Sequence, residues 1–183
     1  MTARIGTYPV GRDDTLVGPL AAASDRLRTK LLDLDSAALG LSDYSRRYLE
    51  GTLVNGVSKL NMYAYLLLLA FDGTEEPGLP ALGVVDHGGG NGLLSLLARE
   101  AGIGTVVYTD IIEESSQDAR RLGAALGLEA DAYVVGELDD LKEHLGASDV
   151  RIDAICSYDV IEHIYDIDAF LRAVPSMTTS TLR

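Results

Sequence analysis

Glycine stands at positions 88, 90 and 92, with Gly89 between the first two, directly after Asp86 and His87. Without a Cβ, such backbone can approach a bound molecule more closely than any side chain would permit. Apolar Val84 and Val85 lead into the stretch and a helix-like pattern starts at Leu93, so the order is strand, tight loop, helix start. The first N–H groups of a helix lack intrahelical partners and face whatever the loop holds. Each glycine costs up to about 1 kcal/mol in conformational freedom, which disfavours four of them in five positions as a plain turn. Further acids follow strand-like runs. Asp110 comes after 105–109, eighteen residues past Gly92, and Glu137 comes after 132–135. Asp159, Glu162 and His163 follow the run 152–156 at spacing i, i+3, i+4, which shares one face if that turn is helical. Two carboxylates and an imidazole suit a divalent cation or proton transfer.

Spacing decides what the glycine loop binds. The dinucleotide fingerprint G-x-G-x-x-G would need a third glycine at Leu93 or Ser95, so a nicotinamide-dependent oxidoreductase is disfavoured. A phosphate loop would need a lysine after Gly92, where Leu93 and Leu94 stand. Asp86 to Gly92 reads D-x-G-x-G-x-G, which resembles the class I S-adenosylmethionine-dependent methyltransferases. The resemblance spans about residues 80–174. It implies S-adenosylmethionine as cofactor, with Asp86, His87, Gly88, Gly90 and Gly92 beneath its methionine part and ribose. A carboxylate such as Asp86 suits a ligand with a sulfonium and an ammonium but no phosphate. Asp110, with Ile111 beside it, would accept the ribose hydroxyls, and Glu137 and Leu138 would meet the adenine. Ser157, at the end of the fourth strand-like run, joins the same set. Plain helix-capping roles for Asp110 and Glu137 stay open.

The wording Asp159-Val160-Ile161-Glu162-His163 resembles the branch that includes ubiquinone and menaquinone methyltransferases. Some members carry Glu-x-x-Glu-His here and bind magnesium; this chain has aspartate first. The resemblance thus implies either a Mg2+ held by Asp159, Glu162 and His163, or His163 with Asp159 as the catalytic pair, His163 being the general base. Asp159 and Glu162 also have the form of a helix-capping pair. The expected reaction is in-line methyl transfer to a small-molecule acceptor, and the alternative is a non-catalytic fragment or partner subunit that keeps the cofactor fold.

Composition narrows the setting. The 183-residue chain carries a formal net charge of −13, which repels phosphate backbones and makes nucleic acid a poor partner. Arg26, Arg28 and Lys30 lie among acids and read as a solvated helix face. One cysteine, Cys156, fits a reducing cytoplasmic location, and its apolar run suggests a buried hydrophobe rather than a nucleophile. No apolar run approaches the length of a membrane span.

These residues need a frame to hold them. Residues 1–18 read as an irregular arm, 19–34 as a helix, 43–49 as a short helix capped by Ser42-Asp43, and 52–71 as a longer helix. The tyrosines Tyr44, Tyr48, Tyr63 and Tyr65 either close over the cofactor or substrate or lie in the core, and core is favoured because helices that precede the sheet must bury something. A loop with Pro77, Gly78 and Pro80 separates this helical cap, residues 1–79, from a Rossmann-like domain at 80–183. There strands and helices alternate, the pattern of an α/β fold with a parallel sheet flanked by helices. Ligands of such sheets bind at the strands' carboxyl ends, where Asp86, Asp110, Glu137 and 157–163 all fall. The family has seven strands in order 3-2-1-4-5-7-6. The chain ends where a fifth would begin, near Leu182, so the C-terminal strands are expected to be missing. The fourth strand is then an uncovered edge through which the chain could oligomerise.

Overall fold

The computed structural model describes residues 4–6, 8–9, 15–54, 56–71 and 78–178. Where the sequence suggested an irregular arm, β1 (Arg4–Ile5) and β2 (Tyr8–Pro9) form a short antiparallel hairpin. Ile5 is fully buried in the main core, which anchors the hairpin.

In α1 (Val17–Asp33) the buried Val17, Leu20, Ala23, Ser24, Leu27 and Leu31 recur every three or four residues, the period of a helix with one core-facing stripe. Pro19 sits in the first turn, where its missing N–H would have had no intrahelical partner. Ser42 Oγ accepts the Ser45 N–H at 3.1 Å and caps α2 (Asp43–Val54). The buried positions Ser45, Leu49 and Thr52 carry the helical period past Leu49, so α2 runs on to Val54. The following α3 (Gly56–Ala70) therefore begins later than the sequence pattern suggested. Arg26 and Lys30 of α1 both reach Glu100, each at 2.7 Å, so this cluster ties two elements together as well as facing solvent.

The second half alternates as expected: β3 (Gly83–His87), α4 (Leu93–Ala101), β4 (Thr105–Asp110), α5 (Glu113–Leu126), β5 (Ala132–Val135), α6 (Leu138–Gly146), β6 (Ala154–Ser157) and α7 (Ile167–Met177). The four strands are parallel in the order β5-β4-β3-β6. Short 3-10 turns span Ser36–Leu39, Leu79–Ala81 and Ile161–His163. The fourth strand starts two residues later than the run from Ile152, and Asp153 explains part of the shift. Its carboxylate accepts the Gly83 N–H at 2.9 Å, closing the ladder edge between β3 and β6.

Strand alternation sorts the core into two layers. Val84, Val106 and Tyr108 face α1, α3 and α4 with Leu20, Leu27, Leu60, Leu67 and Leu97. Val85 and Val107 face the other way, against Leu141 and Met177 of α6 and α7. The main cluster thus joins the helical N-terminal part and the sheet in one core. Among the described residues no single helix is long and apolar enough to cross a membrane. The expected start of a fifth strand at Leu182 lies outside the described residues.

Candidate functional site

The glycine spacing has a direct backbone cause. Gly88, Gly90 and Gly92 have φ of 69°, 54° and 78°, so every second residue of the loop is left-handed, a conformation that favours glycine. Between them Gly89 has no room: a Cβ there would lie 2.5 Å from the Tyr108 ring and 2.8 Å from Asp86 Oδ2. Thr109 O accepts the N–H groups of Gly88 and Gly89, at 2.8 and 3.1 Å. Tyr108 Oη donates to Gly90 O at 2.5 Å. The loop therefore hangs from the end of β4.

Two acids hold its donors. Asp86 Oδ2 accepts from Ser95 N at 3.0 Å and from Ser95 Oγ at 2.8 Å, closing the first turn of α4. Asp110 Oδ2 accepts from Gly90 N at 2.9 Å, and its Oδ1 from Ile112 N at 2.8 Å. The helix start expected to face a ligand thus has part of its donor set taken by the chain's own carboxylates. Such a loop does not suit a phosphate, which would meet negative charge there.

The parallel register sets the predicted residues in a row across the strand ends, with neighbouring strands about 4.8 Å apart. Asp110 ends β4 beside Val135 of β5, and the Gly136 N–H donates to Asp110 O at 3.0 Å. Glu137, one residue on, is exposed and opens α6, where Asp140 Oδ2 accepts its N–H at 2.8 Å. Ile111 is 70% exposed, an apolar side chain standing in water beside Asp110. Leu138 is half-buried in the layer with Val85 and Leu141. On the far side His87 Nδ1 lies 3.4 Å from Ser157 Oγ, and the His87 ring packs on Phe170 with centroids 5.1 Å apart. Burial lowers the His87 pKa, so its imidazole is neutral near pH 7.

Above β3 a cavity of about 80 Å³ opens between the loop and the N-terminal helices. Asp86, Gly88, Gly89, Gly90, Asn91 and Leu94 form one side, with Tyr158 and Asp159 after β6. Tyr44, Tyr48 and Tyr63 form the other. Three of the four tyrosines thus line a cavity rather than following the favoured core reading alone, and Tyr63 among these three is also buried. The signal for them was present in the sequence, since Tyr44 and Tyr48 stand i, i+4 on α2 and share a face. Asp110 and Glu137 lie outside this cavity, along the open strand tips.

The segment after β6 departs from the helical turn expected of it. Asp159 has φ 61°, making it the one non-glycine with positive φ among the described residues. Only Ile161–His163 coil, as a single 3-10 turn, so the i, i+3, i+4 argument for a shared face does not apply. Among the described residues no group of three His, Cys, Asp or Glu side chains is arranged to hold a metal ion, and Asp159, Glu162 and His163 are not brought together as one. Asp159 lines the cavity, whereas His163 is exposed and does not. Cys156 is buried, and burial pushes its thiol up to about 12, the behaviour of an inert core residue.

Burial also pushes the Asp86 carboxyl up from 3.8 to about 6; the bonds from Ser95 pull it down and the charge of Asp110 adds to the rise. The native chain thus keeps this proton to higher pH than the unfolded chain. The resulting stabilisation is full below about pH 4 and is lost as pH rises through about 6. Asp86→Asn stays neutral and keeps an acceptor for Ser95. We expect it to exceed wild-type stability at pH 7.5 by on the order of 1–2 kcal/mol, with the difference vanishing near pH 4. Denaturant unfolding at a series of pH values reads this, and a difference independent of pH would disprove the burial account.

Comparison with known proteins bears on the same segment. A family model described as a methyltransferase domain matches residues 85–178, from the middle of β3 to just past α7. No curated protein matches the chain. The matched region carries the glycine loop, all four strand tips and the parallel sheet beneath them. The chain therefore belongs to the methyltransferase-domain family, within the class I S-adenosylmethionine-dependent methyltransferases.

Proposed function

We propose that the chain transfers the methyl group of S-adenosylmethionine to a small-molecule acceptor held between the glycine loop and the tyrosines. The observation that carries this reading is the cavity itself, where ligand-approachable backbone faces a wall of rings.

Features of this site fit the donor. Among the described residues, chain neighbours aside, a Cβ built on Gly90 meets nothing within 4 Å, so open space lies against the loop there. Asn91 Nδ2 is buried and has no hydrogen-bond partner, a donor that a carboxylate such as that of methionine would satisfy. Asp86 carries the negative charge that a sulfonium and an ammonium call for. A cavity of about 80 Å³ is far below the roughly 300 Å³ of a typical whole-ligand pocket, so the adenosine would lie outside it, along the strand tips. Asp110 is the candidate for the ribose hydroxyls and Glu137 for the adenine amino group, with Ile111 and Leu138 as apolar cover. His87 and Ser157 would flank the methionine side.

Bound there, the donor supplies a methyl carbon already activated by positive sulfur. The chain's part is to hold the acceptor in line at about 3–3.5 Å, to exclude water and to remove a proton. The tyrosines can do the first two. Asp159, at the cavity and held in an unusual backbone conformation, is the candidate for the third, because strained residues concentrate at functional sites. The net charge of −13 supports a small acceptor over nucleic acid.

Calorimetric titration should show saturable binding of S-adenosylhomocysteine and none of NAD. Single-turnover assays with labelled S-adenosylmethionine and a panel of phenols and amines should then show transfer. Binding of NAD in its place would overturn the reading, and cofactor binding without any transfer would make the chain a non-catalytic member.

A further inference from the structure

The tyrosine wall carries a cation that the methyl donor does not require. Helical spacing sets Lys59 and Tyr63 i, i+4 on one face of α3, as it sets Tyr44 and Tyr48 on α2. The two faces meet where Tyr48 Oη and Tyr63 Oη lie 3.2 Å apart. Tyr63 then meets Tyr158 edge-on, with centroids 5.5 Å apart and planes at 87°. Lys59 Nζ stands 3.7 Å from the centroid of Tyr48 and 5.8 Å from that of Tyr158. Both rings line the cavity. No ion pair among the described residues joins Lys59 to a carboxylate.

We propose that Lys59, Tyr48, Tyr63 and Tyr158 form the acceptor subsite, and that it takes a flat aromatic acceptor bearing an anionic oxygen. The inference rests on reading this cavity as the acceptor site. Ring faces and edges select a planar partner, because aromatic pairs prefer offset or edge-on contact at these separations. Burial raises the Tyr63 phenol above its usual range, so Tyr63 stays protonated and its hydroxyl remains available as a donor. An ammonium lying on a ring rather than on an acid leaves its charge uncompensated, and Lys59, half-buried and set against two rings of the cavity wall, favours an anion beside them. Two carboxylates share the cavity, but they oppose this less than their number suggests. Asp86 is held by Ser95 on the loop side, and Asp159 is exposed to solvent.

The test uses the full chain with benzoate, its neutral isostere benzamide and cationic benzylamine, followed by ligand-observed NMR titration with and without saturating S-adenosylhomocysteine. Wild type should bind benzoate at least about 10-fold more tightly than benzamide, and benzylamine weakest. Lys59→Met should erase the benzoate preference, and Lys59→Arg should retain most of it. Arginine rescue is the readout that a merely packing role for the lysine stem would not produce. Equal binding of benzoate and benzamide by wild type, preference for benzylamine, no binding of any probe, or an intact preference in Lys59→Met would each overturn the proposal. Benzoate preference without S-adenosylhomocysteine binding would instead overturn the donor reading and leave the subsite standing.

Discussion

Replacing Gly90 by valine is expected to abolish S-adenosylhomocysteine binding while the fold persists. Gly90 is left-handed at φ 54°, so a β-branched residue there is strained by about 1–3 kcal/mol. That is within the stability of an ordinary domain, commonly about 5–15 kcal/mol. Apart from its chain neighbours, no atom of the described residues lies within 4 Å of the added Cβ, so the branch projects into the space assigned to the methyl donor. We expect affinity to fall by about 100-fold or more, equivalent to roughly 2.7 kcal/mol, with far-ultraviolet circular dichroism unchanged. Gly90→Ala should give a smaller loss. A folded valine variant that binds normally would show that the donor does not lie against this loop.

Gly89 makes the contrast informative. A methyl there collides with the Tyr108 ring, which lies outside the cavity, and with the Asp86 carboxylate that holds Ser95, so its substitution would harm the fold as well as any ligand. Neighbouring glycines thus serve different ends. The sequence shows four glycines but not which way each Cβ would point, because that depends on Tyr108, which reaches the loop from the next strand.

The same distinction explains what else was legible. The parallel sheet follows from local signals: a strand-like run, then a helix, repeated four times, with the acids at the strand ends. The cavity wall does not follow in that way. Tyr44 and Tyr48 of α2 and Tyr63 of α3 belong to helices far from the loop in sequence, and only the packing of α2 on α3, and of α3 with α1 and α4 in one core layer, brings them to it. The turn after β6 misleads for a local reason. Asp159-x-x-Glu162 has the form of a helix start, yet Asp159 takes up a left-handed conformation and the helix does not begin until Ile167, capped by Asp166, whose Oδ1 accepts the Ala169 N–H at 2.8 Å. A capping residue seven positions upstream of a better cap loses to it, and with the helix goes the shared face of the expected metal ligands.

Asp110→Ala should weaken S-adenosylhomocysteine binding by roughly 1–3 kcal/mol, or about 5- to 150-fold, the range for losing charge-assisted hydrogen bonds. The carboxylate has two duties. Its bonds from Gly90 N and Ile112 N hold the loop, and use two of about four acceptor positions. The remaining two match the two hydroxyls of a ribose. Alanine therefore also leaves two backbone donors without partners, and a loss of about 1–2 kcal/mol in folding stability should accompany the loss of affinity. Affinity alone would not separate loop support from ribose recognition. The 2′-deoxy analogue of S-adenosylhomocysteine does. Wild type should bind it about 10-fold more weakly than the parent compound, whereas Asp110→Ala should bind the two alike. Equal discrimination by both proteins would remove the ribose role from Asp110, since a collapsed loop weakens both analogues by the same factor.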